Sequence, residues 1–188
     1  MGTDIHPMFQ RRTPAGWEQV ETKYEGGRNY GLFAWLADVR NGYGFAGIPT
    51  FEPITPIAPQ RGVPDDLGVK VGFNEEAGEV WLGEHSFSWL TAREILDAAP
   101  PNFTKQGVIA REEFDAWDGK QPAEWCGDIS GPGVRTWDIA RGPVPEWATH
   151  VRVYWKKEGS EMFHDFLAEV RRLQSEHGEV RMVFGFDS

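Results

Sequence analysis

The run HVRVYWKKEGSEMFHDFLAEVRRLQSEHGEVRMVFGF, residues 150–186, decides the fold class of this chain. Its opening, His150 to Trp155, alternates apolar and polar residues every second position, the pattern of a strand with one buried face. From Ser160 to His177 the period changes: Met162, Phe163, Phe166, Leu167, Val170 and Leu173 recur at helical spacing, and Gly178 ends the helix. Val180 to Phe186 reads as a final strand. Strand, helix and strand in that order predict a right-handed crossover between parallel strands. With the elements upstream, the expectation is an α+β fold: a mixed β-sheet with helices packed mainly on one face, long irregular loops and one domain over 1–188.

Upstream, Thr3–Arg12 and Trp17–Lys23 read as strands of a hairpin turning at Thr13-Pro14-Ala15-Gly16. Arg28-Asn29-Tyr30 leads into Gly31-Leu32-Phe33-Ala34-Trp35-Leu36-Ala37-Asp38-Val39. There Leu32, Phe33, Leu36 and Val39 predict a helix with one apolar stripe. Asn29 is placed to cap it, and Gly42 to supply the left-handed C-terminal residue. Five prolines punctuate 41–78, where Pro64-Asp65-Asp66 suggests a turn opening a short helix. Glu79–Trp89 reads as extended around Gly83, and Thr91-Ala92-Arg93-Glu94 is a capping box opening a helix to about Ala98. Beyond Pro100-Pro101 come a short strand (Thr104–Ala110), a short helix (Arg111–Trp117) and an irregular stretch with a strand near Val134–Trp137.

Composition narrows the function classes. At 188 residues, with 40% hydrophobic and 26% charged residues, the chain is globular, and nine Trp and twelve Phe supply stacking surfaces as well as core. A net charge of −10 is the wrong sign for general nucleic-acid binding, yet it allows a small anion held by local arginines. Cys126, in Trp125-Cys126-Gly127-Asp128, is the only cysteine, which excludes an intramolecular disulfide and reads as structural. There is no basic-then-apolar leader, and His6 stands where a myristoylation signal has Ser or Thr. No apolar run approaches membrane-spanning length, so the expectation is a cytoplasmic protein without a membrane partner. Phosphate-binding loops, dinucleotide fingerprints, serine nucleophile elbows and His-Glu-x-x-His are all missing from the sequence.

Two constellations are left. Arg28-Asn29 and Arg40-Asn41 flank the first helix and Arg61 lies in a turn; guanidinium and amide groups at element ends suit a phosphate or carboxylate. Tyr30, Tyr43, Trp35 and Trp89 would supply stacking faces. Asp4 and His6, two apart on a strand, share a face. With His85 of His85-Ser86-Phe87-Ser88-Trp89 they offer either a divalent metal site or, through His6 and His85, a base and an acid. The alternative for every one of these residues is an ordinary capping, surface or hydrogen-bonding role. His150, His164 and His177 read as strand and helix positions rather than ligands.

Several stretches together resemble a family of small proteins encoded by bacteriophages and prophages. They are Met1-Gly2-Thr3-Asp4-Ile5-His6, Arg28-Asn29-Tyr30 through Val39-Arg40-Asn41-Gly42, Pro56 to Pro64, His85-Ser86-Phe87-Ser88-Trp89-Leu90-Thr91, and Val180 to Asp187. The family pattern at His85 is often His-Ser-His-Ser, whereas Phe87 replaces the second histidine here. The resemblance implies a host-cell cytoplasmic setting and interference with host defence. The expectation is a protein that binds a small phosphorylated ligand, a nucleotide, through Arg28, Asn29, Tyr30, Arg40, Asn41, Arg61, Ser86, Ser88 and Trp89. No cofactor is expected unless a divalent metal binds at Asp4, His6 and His85. Two alternatives stay open: a nucleotide phosphodiesterase using His6 and His85, and an inhibitor that docks a host protein. Oligomeric state is not legible.

Overall fold

In the computed structural model, which describes residues 2–74 and 77–188, the fold starts as the hairpin read from the sequence. Met1 of the family motif and Glu75-Glu76 of the irregular stretch lie outside the described residues. Strands β1 (Asp4–Thr13) and β2 (Gly16–Val20) pair antiparallel around Pro14-Ala15. Next come helix α1 (Tyr30–Ala37), a parallel two-stranded ribbon of β3 (Lys70–Val71) and β4 (Glu79–Val80), then β5 (His85–Thr91) and α2 (Ala92–Asp97). Strand β6 (Asn102–Ala110) and helix α3 (Arg111–Asp115) precede β7 (Thr136–Asp138). The chain continues through β8 (His150–Glu158), α4 (Gly159–Met162), α5 (His164–His177) and β9 (Val180–Asp187). The fold is α+β, with an antiparallel sheet in the order β2-β1-β9-β5 and a mixed sheet β6-β8-β7.

The two strands expected to be parallel neighbours, β8 and β9, belong to different sheets. Both edges of β9 are taken, by β1 on one side and β5 on the other, so β8 has no edge to join. The connecting helix is also interrupted. Phe163, 1% exposed, separates α4 from α5 and inserts its ring into the core against Trp35, 5.3 Å away.

Seven residues of β9 are buried because both its faces are covered. Met182, Phe184 and Phe186 meet α1, α2 and α5, while Val183 meets Met8, Leu67 and Leu82 on the opposite face. Arg181 shares that opposite face and is 2% exposed. Its guanidinium donates to Gln10 Oε1 (2.9 Å), Asp66 Oδ1 (2.6 Å) and the Asp66 carbonyl (3.0 Å), with Trp17 at 4.2 Å. It thereby straps the 61–67 segment across the sheet. Pro64-Asp65-Asp66 forms only a turn, closed by Leu67 N–H on the Pro64 carbonyl, rather than the expected short helix.

Helix α1 is buried on all sides from Gly31 to Ala37, not along one stripe. Its sequence, Tyr-Gly-Leu-Phe-Ala-Trp-Leu-Ala, offers water no polar side, and it lies between the two sheets. Phe33 meets Phe186 of one sheet, and Gly31 faces Phe103 of the other, where a Cβ would stand 2.9 Å from Met162 Cε. Asn29 caps the helix through Leu32 N–H at 3.1 Å, as its position suggests. At the other end Asp38 (φ 60°), not Gly42, takes the left-handed position. The Thr91–Glu94 capping box forms as expected.

Candidate functional site

Strand β6 has one face carrying Phe103, Lys105, Gly107 and Ile109. Phe103 and Ile109 enter apolar clusters, and Gly107 has a steric purpose. A Cβ there would stand 2.5 Å from Trp125 Cε3, so only glycine lets the indole lie flat on the strand. Residues 125–128 are held beside β6 by paired backbone bonds between Cys126 and Val108. On the same edge, Thr50 to Glu52 bond to β6 at Thr104 and Gln106.

These segments and the start of α1 enclose a cavity of about 710 Å³. One wall is Arg28 to Gly31, a second is Gly44, Phe45, Ile48 and Thr50, and a third is Trp125 to Asp128; Lys105 and Met162 complete it. Phe45 (60% exposed) and Trp125 (37% exposed) leave ring surface open to a ligand. The charges around it are unequally matched. Arg28 donates from Nε and Nη2 to the two Asp4 oxygens (3.1 and 2.6 Å), and Asp128 accepts from Arg152 at 3.0 Å. The Lys105 side chain has no hydrogen bond or ion pair among the described residues; its ammonium lies 5.1 Å from the centre of the Phe51 ring. Burial holds its pKa below the ordinary lysine range.

Of the residues expected from the sequence, the cavity gathers Arg28, Asn29 and Tyr30. Asn29 is occupied by capping and by the Met162 carbonyl at 3.3 Å, while the Tyr30 hydroxyl is buried with no hydrogen-bond partner among the described residues. Arg40 donates to Thr3 Oγ1 (2.8 Å) and its guanidinium lies 5.8 Å from the centre of the Tyr30 ring. Asn41 is bonded to both backbone groups of Ile54. Arg61, Ser88 and Trp89 do converge, but on β5. Arg61 is bidentate to Glu94, its amide donates to Ser88 Oγ, and its guanidinium lies 4.7 Å from the Trp89 ring. These bonds lower the Glu94 pKa to about 2, the Arg61 bonds contributing most. Trp35 is buried against Phe163, and Tyr43 lines a smaller cavity of about 220 Å³ with Phe51 and Tyr154.

The histidines are divided by the sheet. Asp4 and His6 pair with Asp187 and Gly185, while His85 pairs with Phe186. Alternation therefore puts Asp4 and His6 on one face and His85 on the other. His6 Nε2 lies 3.1 Å from Asp187 Oδ2 without a well-directed hydrogen bond, and its ring tilts against Trp81. His85 contacts Ser86 Oγ (2.9 Å) and Ser188 Oγ (3.1 Å). Among the described residues no group of three His, Cys, Asp or Glu is arranged to hold a metal ion. The expected metal trio and acid–base pair are thus corrected by strand register.

Sequence reading missed Lys105, Phe45 and Trp125. The available signal was Lys105 itself, a charge sharing a two-residue period with Phe103 and Ile109. Cys126, read as structural, has its backbone in the Val108 bridge and also lines the cavity; its thiol approaches the Val108 carbonyl at 3.6 Å. Among the described residues no helix is long and apolar enough to cross a membrane. No protein-family model, curated protein or solved structure matches the chain.

Proposed function

We propose that the protein binds a small phosphorylated ligand carrying a flat ring, best fitted by a mononucleotide, in the cavity beside β6. The observation that carries this reading is Lys105, a half-buried ammonium without a carboxylate partner among the described residues, facing a cavity with open aromatic walls. A phosphate would supply the missing countercharge, and Phe45 or Trp125 would stack the base. Arg28 also lines the cavity, but its charge is matched by Asp4. The volume of about 710 Å³ falls in the range of roughly 300–1,000 Å³ usual for small-ligand sites. The net charge of −10 disfavours long polyanions, so a short ligand suits the protein better than a nucleic acid. In the phage setting suggested by the family resemblance, such a binder would sequester a host signal.

The test is a thermal-shift panel of linear and cyclic nucleotides against the wild-type protein and Lys105→Met. A ligand that binds only the folded state raises the melting temperature by mass action. The expected result is a shift with wild type that shrinks in Lys105→Met, with the nucleotide recovered unaltered after denaturation. Altered nucleotide would make the protein an enzyme. No shift at millimolar nucleotide would remove the reading.

A further inference from the structure

We propose that Lys105 is a nucleophilic amine and that the cavity beside β6 captures aldehydes or ketones by forming an imine on its Nζ. The inference shares its cavity with the reading above but does not require a nucleotide.

Three features set Lys105 apart. First, it has no countercharge among the described residues. Lys70 pairs with Glu79, Lys120 with Asp118, and Lys157 with Glu161, while Lys156 donates to Thr104 Oγ1. Lys23 is solvent-exposed. Lys105 is half-buried, and the charged cavity neighbours are already matched, Arg28 by Asp4 and Asp128 by Arg152. Second, its position is fixed. Its backbone lies between β8, where Trp155 is its partner, and the Phe51 bridge on the other edge, so the amine cannot swing out with a mobile loop. Third, the cavity has room for a reactant and apolar walls to hold it.

Desolvation without a carboxylate favours the neutral amine, the form with a lone pair to donate. The Phe51 face is a weaker partner for the ammonium than a carboxylate would be. The chemistry balances without an oxidant or reductant. The Nζ lone pair adds to the carbonyl carbon, and the carbonyl π pair moves to oxygen. The two protons of the neutral amine leave with that oxygen as water, and the C=N bond forms. Nucleotide and carbonyl compound would compete, because a phosphate beside Nζ restores the ammonium and removes the lone pair.

The experiment treats the folded wild-type protein at pH 7.5 with limiting benzaldehyde and cyanoborohydride, which reduces any imine to a stable secondary amine. Labelling rates at the six lysines are read by peptide mapping, with the urea-unfolded chain as the reference. The expected result is Lys105 labelled at least fivefold faster than any other lysine when folded, and no faster when unfolded. Lys105→Arg should abolish the fast phase while keeping the wild-type circular dichroism. Labelling of Lys105 at or below the rate of exposed Lys23 and Lys120 would overturn the proposal. Adding AMP separates the two ideas. Selective labelling that AMP does not slow keeps the nucleophile and counts against nucleotide binding, whereas uniform labelling beside a nucleotide thermal shift does the reverse.

Discussion

The four-stranded sheet and the cavity beside β6 both carry cations next to aromatic rings, and they differ in one respect. On the sheet the cations have carboxylate partners: Arg181 has Asp66 and Arg61 has Glu94. In the cavity Arg28 is likewise matched by Asp4, but Lys105 has, among the described residues, only the Phe51 ring. The paired groups act as fasteners, holding loops onto strands, and their charge is cancelled before any ligand arrives. The unpaired one raises the free energy of the empty protein, a cost that an anion or loss of a proton relieves. Arginines at element ends are here largely spent on fastening loops and strands.

Acid is the bluntest way to break the paired side. The carboxyls of Glu94 and Glu169 are both lowered to about 2, chiefly by hydrogen bonds from Arg61 and Arg172 respectively. A carboxylate with a depressed folded pKa stabilises the fold above its unfolded value. That contribution is lost as pH falls through the folded one. Urea midpoints measured from pH 6 to 2 should therefore hold above about pH 4.5 and drop progressively toward pH 2. A flat profile would mean these pairs contribute nothing. Next in size is Arg181→Ala. It leaves the Gln10 amide oxygen buried without its donor and frees the 61–67 strap, so unfolding free energy should fall by about 3 kcal/mol.

Lys105→Met sharpens the contrast by moving two readouts in opposite directions. Nucleotide affinity should fall about tenfold, roughly 1.4 kcal/mol, while the urea midpoint stays or rises because an uncompensated charge has gone. A drop in stability would show that Lys105 is a fastener after all. The smallest effect is expected from Asp4→Asn. It releases Arg28 from an exposed, solvent-screened pair, and calorimetry should register a gain in nucleotide affinity of about twofold.

Local features were legible in the sequence where local chemistry decides them. The hairpin turn, the Asn29 cap, the Thr91–Glu94 box and the period of α5 each depend on residues within a few positions of one another. What failed was pairing at long range. The adjacency of β8 and β9 follows from chain order by default, but β1 and β5 occupy both β9 edges, and no window of sequence around β9 records that. The make-up of the cavity was hidden for the same reason. Arg28, Lys105 and Trp125 stand on three distant segments, and His6 and His85 looked like partners until register put them on opposite faces of one sheet. Only Lys105 left a local trace, through its apolar neighbours at two-residue spacing.

The central place of β9 also sets the timetable of folding. It is made after the eight other strands of the described residues, yet β1, synthesised roughly 180 residues earlier, has its longest pairing with it, from Asp4↔Asp187 to Arg11↔Val180. During synthesis the β1–β2 hairpin emerges with one edge and its apolar underside uncovered, and α1 has no sheet to rest on. The nascent chain must therefore wait, exposed to chaperones and to wrong partners, until its last strand slides between β1 and β5 and closes the structure.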